Sequence, residues 1–93
     1  MKLQILGNGG AVSDGLSYNS FIIDNMFLIE TPPDIINSLF RENININKID
    51  NIFISHFHAD HFFGFPLLTL RLFFNRVNHN ITIYVPKYIE KNS

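Results

Sequence analysis

The tightest constraint in this sequence is six residues long. His56-Phe57-His58-Ala59-Asp60-His61 places four side chains of metal-ligand type directly behind the apolar run Asn51-Ile52-Phe53-Ile54-Ser55. A short continuous apolar run of this kind is expected to be a strand buried on both faces. Gly64 and Pro66 then introduce a stretch of helical period, read as a helix over 66–76. A strand, a ligand-bearing loop and a helix in succession belong in a layered α/β fold, because strand and helix each need a partner layer for their apolar sides.

Side chains alternate in an extended segment, so His56 and His58 project together and Phe57 projects the other way, into packing. Two imidazoles on one side can hold one metal ion. Asp60 and His61 come after the chain turns, where they can face a second ion beside the first. The chain contains no cysteine, so neither a thiolate site nor a disulfide framework is open to it. An all-N/O donor set fits Zn²⁺ best, with Mn and Fe as alternatives. Two ions about 3.5–4 Å apart can clamp a substrate oxygen and bring the pKa of a shared water close to neutral. A single histidine would be read as an ordinary residue. Here three of the chain's four histidines fall in one segment.

Around this segment the chain reads as βββαβαβ. Residues 2–6 form a strand, and 18–24 and 26–30 form an antiparallel hairpin across the turn signal Asp24-Asn25. Thr31-Pro32-Pro33-Asp34 is a helix start, with Thr31 able to cap and Asp34 at the positive end of the dipole. Ile35, Ile36, Leu39 and Phe40 make one apolar stripe on a helix near 33–42. Residues 43–50 are a loop, 77–80 a turn and 81–85 a last strand. The helix over 66–76 carries two stripes, Leu67/Leu70/Phe73/Phe74 and Leu68/Leu72. A helix apolar on two sides is covered on two sides, and the Leu68/Leu72 side is expected to meet something beyond the sheet.

Composition points the same way. The chain has 93 residues, of which 46% are hydrophobic, including ten Phe, and only 16% charged. That is apolar for a short soluble chain, so some apolar surface is expected to find a partner outside these residues, either a missing C-terminal half or a second subunit. The net charge is −1 and the basic residues are scattered, so no electrostatic footprint for nucleic acid is visible, and an RNA substrate would dock elsewhere. The apolar stretch Phe62 to Phe74 is interrupted and falls short of the ~18 residues of a membrane span. No signal peptide is visible, and a cytoplasmic location is expected.

Other signals are weaker. Gly7-x-Gly9 follows a strand, but the third position of a dinucleotide-binding pattern is Val12 and no helix opens there, which leaves a turn-forming loop. Asp14, Asp24, Glu30 and Asp34 read as scattered acids. Ser13, Ser17, Ser20 and Ser55 lack the base and acid of a serine nucleophile. His79 reads as an exposed loop histidine, and the phenylalanines from 62 to 74 as core packing.

The segment His56–His61 resembles the signature of the metallo-β-lactamase-fold hydrolases. The likeness runs along the whole chain: Leu6-Gly7-Asn8-Gly9-Gly10 looks like the family's first strand and glycine loop, Asn19–Ile23 and Phe27–Glu30 like its next hairpin, and Ile52–His56 like the strand feeding the metal loop. Gly64-Phe65-Pro66-Leu67-Leu68 and Ile81–Pro86 look most like the ribonuclease Z-like phosphodiesterase branch. The resemblance implies an α/β fold, the mixed-sheet N-terminal half of an αββα domain, with 1–93 as a single partial domain. It implies that His56 and His58 bind the first metal ion and Asp60 and His61 the second, with Asp60 also orienting or deprotonating the catalytic water. The implied activity is two-metal hydrolysis of a phosphodiester, either RNA or a small molecule. In the family a further His, a bridging Asp and a last His come from later in the chain than Ser93. This chain is therefore expected to be part of a longer enzyme, or else a truncated product that binds metal or a partner without catalysis. Lactonase or thioesterase chemistry on the same fold is the remaining alternative.

Overall fold

The computed structural model describes residues 1–7, 18–55 and 59–86, with Ala59 and Asp60 described by their backbone only. Strands β1 (Leu3–Gly7), β2 (Ser20–Ile23), β3 (Phe27–Ile29), β4 (Asn51–Phe53) and β5 (Thr82–Tyr84) form one sheet in chain order. The first three are antiparallel; β4 runs parallel to β3, and β5 parallel to β4. Parallel neighbours need crossovers. These carry helices α1 (Ile35–Arg41), α2 (Ala59–Phe62) and α3 (Phe65–Phe74). The expected order holds, with two additions: a 3₁₀ turn at Ile46–Lys48 within the segment read as loop, and α2 within the segment read as metal-ligating.

The β2–β3 hairpin closes as the sequence suggests. Asp24 and Asn25 both have positive φ, 54° and 59°, and Met26 N–H donates to Ile23 O at 3.1 Å. That is the primed turn whose twist suits a hairpin, and Asp and Asn tolerate it better than bulkier residues.

Strand alternation decides what is buried. Leu6, Ile22, Leu28 and Ile52 face the helices and are at most 2% exposed. They share a core with Ile35 and Leu39 of α1, Leu68 and Leu72 of α3, and Ile44, Ile46, Ile49 and Ile54 of the connections. The alternate strand residues make the opposite face. Register sets Leu3 beside Ile23, Ile5 beside Phe21, Phe21 beside Ile29 and Ile29 beside Phe53. Leu3, Ile5, Phe53 and Tyr84 are exposed there, and Phe21, Ile23, Phe27 and Ile29 are half-buried. So β4 is not buried on both faces as its apolar run suggested. Among the described residues only one layer lies on it, covering Ile52 and leaving Phe53 open.

Two further expectations are overturned. Helix α3 is rolled the other way: Leu68 and Leu72 are buried in the core, while Leu67, Leu70, Phe73 and Phe74 are exposed. The cause is Gly64. A Cβ there would lie 2.0 Å from Pro32 O and 2.7 Å from Ile35 Cγ2, so the backbone touches the start of α1, and Gly64 N–H donates to Thr31 O at 2.8 Å. Leu68 and Leu72 follow at intervals of four and share that inward row. The second correction concerns Thr31, which does not cap α1. Asp34 occupies the cap position without a side-chain cap bond, and its Oδ2 instead accepts from Tyr18 N–H at 3.3 Å. Among the described residues, no helix is long and apolar enough to cross a membrane.

Candidate metal centre

Strand β3 ends at Ile29, and the next residue turns the chain sharply. Glu30 has φ 71°, a region that non-glycine residues rarely occupy and that costs about 1–3 kcal/mol. Its neighbours hold it there. Glu30 N–H donates to Phe53 O at 2.7 Å, and Ser20 Oγ donates to Ile29 O at 2.9 Å and to Glu30 O at 3.2 Å. The side chain is only 8% exposed. A carboxylate this buried must be satisfied, and it is. Oε1 accepts from Ser55 N–H at 2.6 Å, and Oε2 accepts from Ser55 Oγ–H at 2.7 Å and is paired with His61 Nδ1.

Ser55 immediately precedes His56, and His61 lies in α2. One buried carboxylate thus ties down both ends of the segment that carries the candidate ligands. Thr31 adds a second tie: its N–H donates to His61 O at 2.9 Å, and its Oγ1 donates to the same oxygen at 3.4 Å. Through Thr31 O and Gly64 N–H the exit from β3 also fixes the entry to α3. Strands β3 and β4 are parallel, so Glu30 and Ser55 emerge from the same edge of the sheet. The crevice outside the carboxyl ends of parallel strands is where α/β folds place their sites.

The geometry suits a metal-binding histidine. With Nδ1 held by Glu30, Nε2 is the nitrogen through which His61 would bind an ion, and a carboxylate behind the ring fixes its tautomer and orientation. The backbone of Asp60 lies in α2, but its side chain is outside the described residues, as are His56, His58 and the glycine loop from Asn8 onward. Among the described residues, no group of three or more His, Asp or Glu could hold a metal ion. His79 is exposed, with Nε2 donating to Ile49 O at 3.0 Å, and so serves as a loop tie.

Sequence reasoning missed Glu30 and Ser55. The only sequence signal for Glu30 was an acid at the end of a strand ahead of Thr31-Pro32-Pro33. Its partners follow from the parallel pairing of Ile29 with Phe53, which sets the residue after β3 beside Ile54 and Ser55.

A family model described as "Anti-Pycsar protein Apyc1" matches residues 1–92. Ribonuclease Z of Picrophilus torridus is 34% identical over 89 residues, covering 91% of this chain and 29% of the relative. The crystal structure of human tRNase Z, short form, superposes with a TM-score of 0.79 at 26% identity, covering 99% of this chain and 36% of that one. A diphosphatase of the PhnP family superposes with a TM-score of 0.73 at 28% identity, covering 96% and 43%. The chain spans about a third or less of the length of the curated relatives it matches.

Proposed function

The chain belongs to the family described as anti-Pycsar protein Apyc1, in the ribonuclease Z-like branch of the metallo-β-lactamase fold, and from that membership we infer that it carries part of the active site of a metal-dependent phosphodiester hydrolase. The observation that carries this reading is the Glu30 carboxylate spanning Ser55 and His61. A buried acid in a strained conformation is an expensive way to hold an ordinary turn. It is a reasonable way to hold a segment of ligands.

On this reading residues 1–93 are the N-terminal half of the domain. His56 and His58 hold one divalent ion, and Asp60 and His61 a second, with zinc the first choice and Mn or Fe the alternatives. Such ions, when bound, supply the positive charge that polarises a phosphoryl oxygen and acidifies water. Asp60 orients the attacking water and takes its proton. Glu30 keeps His61 in one tautomer, and Ser55, on the same carboxylate, fixes where the ligand segment begins. Layers and ligands beyond these residues complete the site against the bare face of the sheet. The relatives named ribonuclease Z and tRNase Z make RNA a candidate substrate. The family's description makes an anti-Pycsar role a candidate for the whole protein, in the cytoplasm.

The test is hydrolysis of bis(p-nitrophenyl) phosphate by the zinc-loaded protein, with metal content measured by elemental analysis. Turnover that disappears in His58→Ala is the expected result. If no metal binds and no diester is cleaved, the reading fails. The alternative reading is a metal-binding module without catalysis. Metal binding without turnover would select it.

A further inference from the structure

Ser20 is buried at the start of β2, 3% exposed. The register that sets Phe21 beside Ile29 would set Ser20 beside Glu30 if the β2–β3 ladder went on. It stops there, because Glu30 turns away at φ 71° and its N–H crosses to Phe53 O of β4 at 2.7 Å. The Ser20 hydroxyl takes over where the ladder breaks. It donates to Ile29 O at 2.9 Å and to Glu30 O at 3.2 Å. In an extended strand, consecutive carbonyls point to opposite sides. Here two of them converge on one hydroxyl, because the peptide units on either side of the Glu30 Cα are swung together by its left-handed backbone. The double contact is thus specific to that conformation.

We propose that Ser20 is a positioning residue for His61: its hydroxyl selects the left-handed conformation of Glu30, and that conformation sets the carboxylate against Ser55 and the His61 ring. The role rests on the metal-centre reading only in taking His61 as a ligand. Left to itself, a non-glycine residue prefers the extended region. Relaxing to it would add a pair to the β2–β3 ladder and swing the Glu30 side chain away, leaving Ser55 N–H and the His61 ring without their acceptor. The hydroxyl opposes this, since both carbonyls would lose a donor inside the protein. The bond to Phe53 O fixes one side of the turn and Ser20 the other. Ser20 is itself well anchored, with its backbone paired to Gly7 of β1 and the next residue paired to Ile29. Thr31 cannot substitute for it. The Thr31 N–H and hydroxyl hold the His61 carbonyl, which places the backbone of His61 but leaves the orientation of the ring to the carboxylate. A ligand nitrogen is useful only when the ring is held in one tautomer and one orientation.

The experiment is NMR of the metal-free protein with ¹⁵N-labelled histidine in mildly alkaline buffer, the His61 signals being assigned by their loss in His61→Gln. In the wild type His61 should be held as the Nδ1–H tautomer, its ring proton protected from exchange by Glu30. Ser20→Thr and Ser20→Val have the same shape and differ in the hydroxyl. Threonine should keep the protected proton; valine should lose it and give a mixture of tautomers, with a thermal melt confirming that the protein is folded. Ser20→Ala reads the same loss should valine not fold. Zinc titration should then show binding weakened about 10-fold in the valine and alanine variants and unchanged in threonine. A wild type without the protected proton overturns the proposal, as does a valine variant that keeps it. Loss in threonine as well as valine also overturns it, because packing and not the hydroxyl would then be at work. A wild type that shows the protected proton but binds no zinc would sink the metal reading and leave the hold of Ser20 on His61 standing.

Discussion

The two faces of the sheet are made of the same residue types and differ in what lies on them. Leu6, Ile22, Leu28 and Ile52 on one face are closed off by the helices; Leu3, Ile5, Phe53 and Tyr84 on the other are open. Leucine and isoleucine stand on both. Burial here is therefore a property of the next layer, not of the strand that carries the side chain. The candidate metal centre sits on the rim between the two faces. Glu30, Ser55 and His61 are fixed by the covered side, through the parallel β3–β4 pair and the Thr31–Gly64 contact. The open side leaves room for a further layer. Glu30, Ser55 and His61 are thus held by contacts made among the described residues.

The largest contrast should appear in the strands themselves. Leu28→Ala removes a fully buried side chain and should cost about 2–5 kcal/mol, a large share of the ~5–14 kcal/mol expected for a chain of this length. Leu3→Ala, on the open face, should cost under about 1 kcal/mol, because its side chain is already in water. Urea denaturation of the two variants measures the difference. Equal losses would mean that the open face is covered in solution, and the contrast between the faces would be lost. Gly64→Ala comes next. Its Cβ would meet the backbone oxygen of Pro32, and because backbone cannot swing aside as a side chain can, the cost should be about 1–3 kcal/mol or more. A thermal melt suffices, and an unchanged midpoint would show that α3 can slide away from α1.

The Glu30 contacts separate the rim from both faces. Glu30→Ala leaves the Ser55 N–H and the His61 ring without their acceptor, which should cost roughly 1–3 kcal/mol. If His61 binds metal, the same change should lower zinc affinity about 10- to 100-fold. Calorimetric titration of zinc into both proteins reads the second effect directly. Loss of stability with unchanged affinity would make Glu30 a structural brace and nothing more. Alanine inherits the positive φ as well, so the change relieves none of the backbone strain.

Much of this organisation is legible in the sequence, and its failures have physical causes. Strand and helix order and the Asp24-Asn25 turn could be read because each depends on neighbours a few residues away. The pairing of Glu30 with Ser55 and His61 could not, because it spans 25 and 31 positions and exists only once β3 and β4 lie parallel. The two-sided burial expected of β4 failed for a related reason. The apolar run 51–55 records that both sides avoid water, but not which layers are present to shield them.

The roll of α3 is the most instructive failure, and it yields the mildest prediction. Both stripes of α3 are apolar, so hydrophobic periodicity favours neither. What breaks the tie is Gly64, whose lack of a side chain lets the helix entry rest on Pro32 and Ile35 and so turns the 64–68–72 row inward. Leu67→Ser should therefore change stability by no more than about 0.5 kcal/mol, as is usual for exposed positions, and it should raise solubility. Leu68→Ser, one residue on, should behave like a core lesion. If the two variants were found with their effects exchanged, the helix would sit with its other stripe against the sheet. The glycine contact and the groove beside it would then both have to be redrawn.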